Sequence, residues 1–333
     1  MVDSKQNKFA SDKMTKIGRK LLFSMLKIRR VEEVIASLYP AQEIKCPVHL
    51  CTGQEAIPAG VCQALKGNDV IFGSHRAHGY YIARGGSLKA FFAELYGKAA
   101  GCGKGKSGSQ HFACPESGFM GSSAIVAGTV PVAVGAALAF RMQRKKSVAV
   151  VDFGDGATDE GVFYEAINFA ALKKLPVIFI CENNAYATHA HIRVRQAKNN
   201  IAQRAMVFGV SALKIDGNNV LDVFQAAKYA VRRARLGGGP TLIECITYRW
   251  MSHVGPEYDC NLGYRSENEL KQWLKKCPLK ALRDRLAKGG IVGNSEFNKM
   301  LVKVNAELGE AVTFAKRNPV PQAQELLRDV YCY

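Results

Sequence analysis

Two short polar clusters in this sequence carry the residue types for phosphate and metal chemistry. The first is GDG at 154–156, directly after the apolar run SVAVVDF at 147–153. Gly154 and Gly156 allow the backbone to approach a phosphate closely, and a following helix start offers unpaired N–H groups and a favourable dipole. Asp155 cannot itself bind phosphate, because like charges repel. It can hold a divalent cation that phosphates also bind, and magnesium typically takes one or two carboxylates plus phosphate oxygens in octahedral geometry. The second cluster is ENNAY at 182–186, after the run PVIFIC at 176–181. Here Asn184 offers a side-chain amide oxygen, and a backbone carbonyl just beyond it a third protein oxygen. A lone GDG is an ordinary turn by about ten to one. The combination carries more weight: GDG after one strand, NN after the next, and 29 residues from Asp155 to Asn184 spent on one helix and one strand.

The elements that must position these residues follow a β–α rhythm. Strands are expected at 147–153, 176–183, 212–216 and 241–248, with a shorter one at NDVIFGS, and helices at 129–142, 158–173 and 220–236. The strands are continuous apolar runs, as in strands covered on both faces, and their alternation with helices predicts an α/β fold: a parallel sheet with helices on both faces. In such a sheet the carboxyl ends of the strands open onto the ligand-binding edge. Before this region, apolar residues at helical spacing predict a helix over 14–39, closed by Pro40, then helices at 53–65 and 87–97, the latter capped by Ser87. Residues 98–123 are a Gly- and Ser-rich loop of a length that is usually functional. From 266 onward, helices are expected at 266–276, 278–287, 294–316 and 321–330. Residues 1–12 read as a flexible tail and 13–333 as a single domain with helical extensions at both ends.

At 333 residues and 48% apolar composition the chain can bury a core without staples. Runs such as 148–153 and 177–181 are far too short to cross a bilayer. The polar start carries no apolar signal core, and the ten cysteines include no C-x-x-C pair. A cytoplasmic, reduced protein is expected, and ligand spacing gives no sign of a zinc site. The formal charge of +18 comes from 46 Lys plus Arg against 28 Asp plus Glu. It is dispersed and not interleaved with aromatics, so solvated faces are favoured over nucleic-acid binding, with docking on an acidic partner chain the second choice.

With these motifs in order, the chain resembles the alpha subunit of the two-subunit, thiamine diphosphate-dependent first component of 2-oxoacid dehydrogenases (pyruvate, branched-chain and acetoin types). The resemblance runs from about residue 20 to about residue 285. It is carried by HLCTGQEAIPAG (49–60), HRAHGYYIARG (75–85), GKGKSGSQHF (103–112), AIVAGTVPVAVGAALA (124–139), the 154–186 segment, TYRWMSH (247–253) and GYR (263–265). It implies a thiamine diphosphate-binding fold of the diphosphate type. The implied activity is decarboxylation of a 2-oxoacid, or cleavage of acetoin, with acyl transfer to a lipoyl acceptor. The implied assembly is a heterotetramer in which a beta subunit supplies the pyrimidine-binding domain and its activating glutamate.

Residue by residue, the resemblance implies that Asp155, Asn184 and the backbone carbonyl of Tyr186 ligate Mg2+. Gly156 and Ala157 give N–H groups to the diphosphate, Arg76 pairs with a phosphate, and Val126 and neighbours such as Ala124 line the cofactor. His253 lies at the diphosphate end and near the substrate path, and His78 sits close to the cofactor; both are candidate catalytic residues. From the residues alone, a solvated Arg76 and structural roles for both histidines stay open. The sequence departs from the family pattern at three places. His75 stands where Tyr is usual before Arg76; an imidazole can still donate to phosphate, with a charge that depends on pH. Thr129 replaces a Gln. The loop 250–259 reads WMSHVGPEYD, keeping His253 but losing the family's Ser-rich part, a phosphorylation target in mitochondrial members. That loop borders the substrate channel and the carrier-docking face, so a thiamine-dependent decarboxylase or carboligase without a lipoyl acceptor is the alternative function.

Overall fold

The computed structural model describes residues 2–328, with side chains from residue 15 onward. Its centre is a six-stranded sheet built from β1 (Val70–Gly73), β2 (Phe119–Ser122), β3 (Ala149–Gly154), β4 (Val177–Asn183), β7 (Ser211–Asp216) and β8 (Thr241–Ile246). The order across the sheet is β2-β1-β3-β4-β8-β7 and every pairing is parallel. A small antiparallel hairpin, β5 (Tyr186–Ala187) with β6 (Ala190–His191), stands apart.

Strand alternation divides the core in two. On β3 and β4, Val150, Ile178 and Ile180 face a cluster formed with α1 (Val2–Leu38), α2 (Ala56–Ala64), α3 (His78–Ala83), α4 (Leu88–Leu95) and α9 (Val220–Arg235). Ala149, Val151, Phe153, Val177, Phe179 and Cys181 face α5 (Thr129–Met142), α6 (Gly161–Leu172) and α8 (Ile201–Val207). Every residue of β4 is buried; its first five, Val177–Cys181, read as one apolar run, and Glu182 and Asn183 end it. The short α7 (Ile192–Arg195) follows the hairpin, and α10 (Glu267–Leu274), α11 (Pro278–Lys288) and α12 (Asn294–Arg317) form the C-terminal extension, with α11 and α12 packed on α1.

The parallel α/β sheet with helices on both faces is as expected, and α5 has the expected bounds. Four local readings change. The loop at 98–123 contains β2, which pairs with β1 at the sheet edge; a four-residue strand of mixed burial leaves little periodicity to read. The helix expected from 158 begins at Gly161, because residues Asp155–Asp159 form a 3-10 turn. The helix expected at 321–330 is only a 3-10 turn, Ala323–Leu326; Pro319 and Pro321 supply no N–H upstream of it, and residues 329–330 lie outside the described ones. Residues 2–12, expected as a tail, continue α1, since no Gly or Pro interrupts them. The nine cysteines among the described residues are free thiols, and no helix among the described residues is long and apolar enough to cross a membrane.

The Gly/Ser-rich loop is ordered from within. Glu94 on α4 is buried, and its carboxylate accepts four backbone N–H bonds: Gly103 at 2.7 Å, Gly105 at 2.9 Å, Ser107 at 2.7 Å and Gly108 at 3.0 Å. One anion thus replaces the secondary structure that this segment lacks. Glu94→Ala would strand these donors and should cost about 3 kcal/mol or more. The checks are a chemical-denaturation curve and limited proteolysis: cleavage within 103–108 should appear in the variant, and equal stability and resistance would contradict the role given to Glu94.

Candidate active site

Four consecutive strands, β1, β3, β4 and β8, end on the same edge of the sheet. After β1 come Ser74, His75 and Arg76; after β3, Asp155–Ala157; after β4, Asn184–Tyr186; after β8, the segment leading to His253. The chain runs outward from β1 to β2 on one side and to β3 on the other, so β1 and β3 flank the topological switch point where parallel sheets bind ligands. A cavity of about 440 Å³ opens there. His75, Arg76, Ala124, Val126, Gly156, Ala157, Asn184, Tyr186 and His253, all expected from the sequence, line it.

β3 and β4 are in parallel register, with Gly154 opposite Glu182, so Asp155 and Asn184 leave adjacent strand tips. The amide of Asn184 is fixed from both ends: its Nδ2 donates to Gln54 Oε1 at 3.0 Å, and its Oδ1 accepts from Tyr186 N at 3.1 Å. Ala185 between them takes a left-handed φ of 69°, which folds the chain back so that Asn184 and Tyr186 lie together. The carboxylate of Asp155 is almost fully buried, flanked by Gly154 and Gly156 in the cavity wall. Its Oδ2 is ion-paired with Arg195, while its Oδ1 is buried with no hydrogen-bond partner. Burial pushes this carboxyl up from the ordinary range, and Arg195 offsets that only in part.

These observations decide whether a magnesium diphosphate suits the residues present. An orphaned buried carboxylate oxygen, an oriented amide and a cradle of small residues match a hard cation with an anionic ligand. At Gly154 an added Cβ would stand in open space, and at Gly156 it would come 2.8 Å from Ala187 Cβ. The first points to room beside the turn; the second shows that the turn tolerates no side chain at 156. The N–H groups at Gly156 and Ala157 belong to the 3-10 turn rather than to the first turn of α6, a correction to the expected source of phosphate donors.

The opposite wall is cationic and aromatic. Arg76 is buried, and its guanidinium donates to Leu50 O at 2.8 Å and His253 O at 3.2 Å. Burial lowers its pKa only to about 10, so it stays charged near neutrality. His49, His75 and His253 meet beside it, with ring centroids 4.7, 5.0 and 5.4 Å apart and ligand atoms all within 4.8 Å. Sequence spacing gave no hint of this trio. Three imidazoles can hold a transition metal, but the neighbouring guanidinium opposes a cation there and favours an anion. Burial first, then the charge of Arg76, pushes His49 down to about 2 and His75 and His253 down to about 3. All three are therefore neutral near pH 7, and the expected pH-dependent charge of His75 does not arise in this range.

Below the cavity, Asp152 and Glu182 lie on one face of β3 and β4. Asp152 accepts from Ser74 Oγ at 2.8 Å; Glu182 accepts from Tyr80 Oη at 3.1 Å and from the amide of Gln54. Burial raises Asp152 to about 6 and Glu182 well above its ordinary value. The segment carrying His253 is pinned by Asp259, which accepts from Arg249 at 3.1 Å and from Tyr264 and Arg265; Arg265 also donates to the carbonyls of Arg249, Trp250 and Met251.

Two expected residues do not line the cavity: Asp155, whose buried carboxylate sits behind the Gly154 and Gly156 wall and is turned to Arg195, and His78. His78 is fully buried, with Nδ1 2.8 Å from Glu32 Oε1, Nε2 2.7 Å from Ser109 Oγ, and its ring against Phe91 and Phe112. Both nitrogens are engaged, so it ties α1 to the 98–123 loop instead of facing a substrate. The residues that sequence reading missed are His49, Gln54, Asp152, Glu182 and Arg195. His49 and Gln54 lie in the quoted 49–60 block, where their polarity amid apolar neighbours is a signal; nothing local marks Arg195.

Neutral burial of the histidines has a consequence for stability. Unfolded histidine gains a proton near pH 6.5 and folded His75 only near 3, so the folded state loses stability as pH falls below about 6.5. Without cofactor, His75→Tyr should lose less melting temperature than the parent chain between about pH 7 and about pH 5.5, a difference of about 1 kcal/mol. Scanning fluorimetry reads it, and parallel curves would contradict neutral burial of His75.

Known proteins place this geometry in a family. The dehydrogenase E1 component family matches residues 24–324. The chain is 39% identical to the alpha subunit of acetoin:2,6-dichlorophenolindophenol oxidoreductase of Bacillus subtilis (strain 168), over 310 residues that cover 92% of this chain and 91% of that one. It is 36% identical to the pyruvate dehydrogenase E1 component subunit alpha of Porphyra purpurea, covering 92% and 90% of the two chains. Identity to the somatic, mitochondrial form of that subunit in Sus scrofa is 35%, covering 95% and 80%. With its cavity at the β1/β3 switch point and both clusters on adjacent strand tips, the chain belongs to the dehydrogenase E1 component family.

Proposed function

We propose that this chain is the alpha subunit of a thiamine diphosphate- and Mg2+-dependent oxidoreductase that decarboxylates a 2-oxoacid, or cleaves acetoin, and passes the acyl group to a lipoyl acceptor. The observation that carries this reading is the placement of Asp155 and Asn184 on adjacent strand tips, with a buried carboxylate oxygen of Asp155 left without a partner. Asp155, the amide oxygen of Asn184 and the carbonyl of Tyr186 would hold the metal. The N–H groups of Gly156 and Ala157 would bind the diphosphate, with Arg76 as its countercharge and His75 as a neutral donor. Ala124 and Val126 would shape the wall beside it. When bound, thiamine diphosphate supplies an electron sink for the carbon that loses carbon dioxide.

The remaining chemistry falls to this chain's own groups. His49 and His253, neutral at the cavity wall, can each give or take one hydrogen bond to a substrate carboxylate or oxo group. Arg76 favours the anionic ground state of a 2-oxoacid entering along that wall. The network on Asp259 keeps His253 in place, so the altered loop is a fixed rim and not a loose cover. Asp152 and Glu182, buried beneath the cavity with raised pKa values, can hold a proton between them near neutrality.

The chain is proposed to act as one domain with helical extensions, joined in an alpha2beta2 heterotetramer to a beta subunit that brings the pyrimidine-binding wall and its glutamate. The names of the relatives, as alpha subunits, support a partner chain. So do Ile125, Val126 and Val132, exposed apolar residues at and beside the cavity, where a large interface would bury them. The free thiols support a cytoplasmic setting. The Ser-poor rim at 250–262 favours keeping the second reading, a decarboxylase or carboligase without lipoyl acceptor.

Binding of thiamine diphosphate with Mg2+ by the chain assembled with its beta subunit, read by thermal shift and calorimetry, tests the first claim. Asp155→Asn and Asn184→Ala should each weaken metal-dependent binding by about 100-fold or more; no shift in the parent chain, or unchanged binding in both variants, would contradict it. With the beta subunit present, acyl-lipoamide formation from a 2-oxoacid supports the dehydrogenase, whereas decarboxylation indifferent to lipoamide supports the second reading.

A further inference from the structure

Arg195 stands in the place where a cation is needed. It ends α7, just after the β5–β6 hairpin that begins at Tyr186, so one short segment delivers both an expected metal ligand and a guanidinium. Its Nη2 is ion-paired with Asp155 Oδ2 and its Nη1 with Asp159 Oδ2, while Nε donates to Ala190 O at 3.1 Å. The three side chains differ in exposure: Asp155 is 1% exposed, Arg195 13% and Asp159 33%. Asp159 is also held by the amide of Gln196 at 2.6 Å.

We propose that Arg195 is a built-in competitor for the divalent cation at Asp155, and that it sets how tightly the site takes metal. This rests on reading Asp155 and Asn184 as the metal ligands. A buried carboxylate needs a countercharge, and Arg195 supplies one through Oδ2. A divalent cation that coordinates Asp155 must displace the guanidinium or share the carboxylate with it, against like-charge repulsion either way. The second anchor makes displacement possible without expelling the side chain. Asp159 and the Ala190 carbonyl keep Arg195 at the rim, and a second cavity lined by Asp159, Arg195, Gln196 and Arg204 adjoins it. Before loading, Arg195 spares the fold a bare buried carboxylate; at loading, it lowers the affinity for metal.

The test is Mn2+ binding to the chain assembled with its beta subunit, with thiamine diphosphate present, read from the electron paramagnetic resonance signal of free Mn2+. Arg195→Gln should bind Mn2+ at least tenfold more tightly than the parent chain. Arg195→Lys, which keeps a charge for folding but offers one ammonium to two carboxylates, should fall between them. Adding Asp155→Asn to Arg195→Gln should abolish the tight site. In EDTA, Arg195→Gln should melt below the parent chain, and it should gain more than the parent from Mn2+ and thiamine diphosphate, whereas loss of a merely structural arginine would leave the two gains equal. If Arg195→Gln, or Arg195→Lys where only that variant folds, binds Mn2+ no more tightly than the parent and Asp155→Asn still abolishes binding, the metal reading stands and the competitor role is overturned. If neither the parent nor the Arg195 variants bind Mn2+, the metal reading fails and the competitor role goes with it.

Discussion

A carboxylate buried to 1% exposure at the tip of a strand must either take up a proton or have a positive charge beside it to stay ionised. Asp155 imposes that constraint, and much of the surrounding structure answers it. The glycines on either side keep the turn open. The parallel register of β3 and β4 sets Asn184 next to it, and Gln54 and the Tyr186 amide hold the Asn184 side chain in one orientation. Arg195 meets half of the demand through Oδ2, and Oδ1 is left unsatisfied. A dication bound to both strand tips, carrying a diphosphate, would satisfy the whole group.

Across the cavity the problem has the opposite sign. Arg76 is a buried guanidinium fixed by carbonyls, surrounded by three imidazoles that burial keeps uncharged. One side therefore holds a carboxylate satisfied only through Oδ2, and the other a guanidinium held by carbonyls rather than by a carboxylate. A metal-bound diphosphate spanning them would suit both, and their separation along the sheet edge is the work of the topology: Arg76 follows β1, Asp155 follows β3, and the chain reverses direction across the sheet between them. The Asp259 network and the Glu94 carboxylate use a related device, since each replaces regular secondary structure with a buried anion that orders a polar loop.

Much of this was legible in the sequence where the signal is local. The apolar run of β4 and the Gly- and Ala-rich α5 are read at or within a residue or two of their observed bounds, because burial on both faces or helical spacing marks them directly. Asp155 and Asn184 were legible because two short motifs sit at a separation that one helix and one strand fill. The misses are of a different kind. His78 carries a motif position but is closed off by Glu32 and Ser109, which are 46 and 31 residues away in the chain. The imidazole trio draws on residues 49, 75 and 253, and no ligand spacing connects them. Arg195 looks like one basic residue in a basic stretch, and only the hairpin before it turns it onto Asp155. β2 is too short to show a period, and the 3-10 turn at Asp155–Asp159 looks in sequence like the first turn of α6.

The most direct measurement is the anomalous diffraction of Mn2+ in crystals of this chain with its beta partner and thiamine diphosphate. The predicted result is a single peak at about 2.1 Å from oxygens of both Asp155 and Asn184, with the guanidinium of Arg195 withdrawn from Asp155. A peak among His49, His75 and His253, or none within coordination distance of Asp155, would contradict the assignment of Asp155 as the anion around which the site is built.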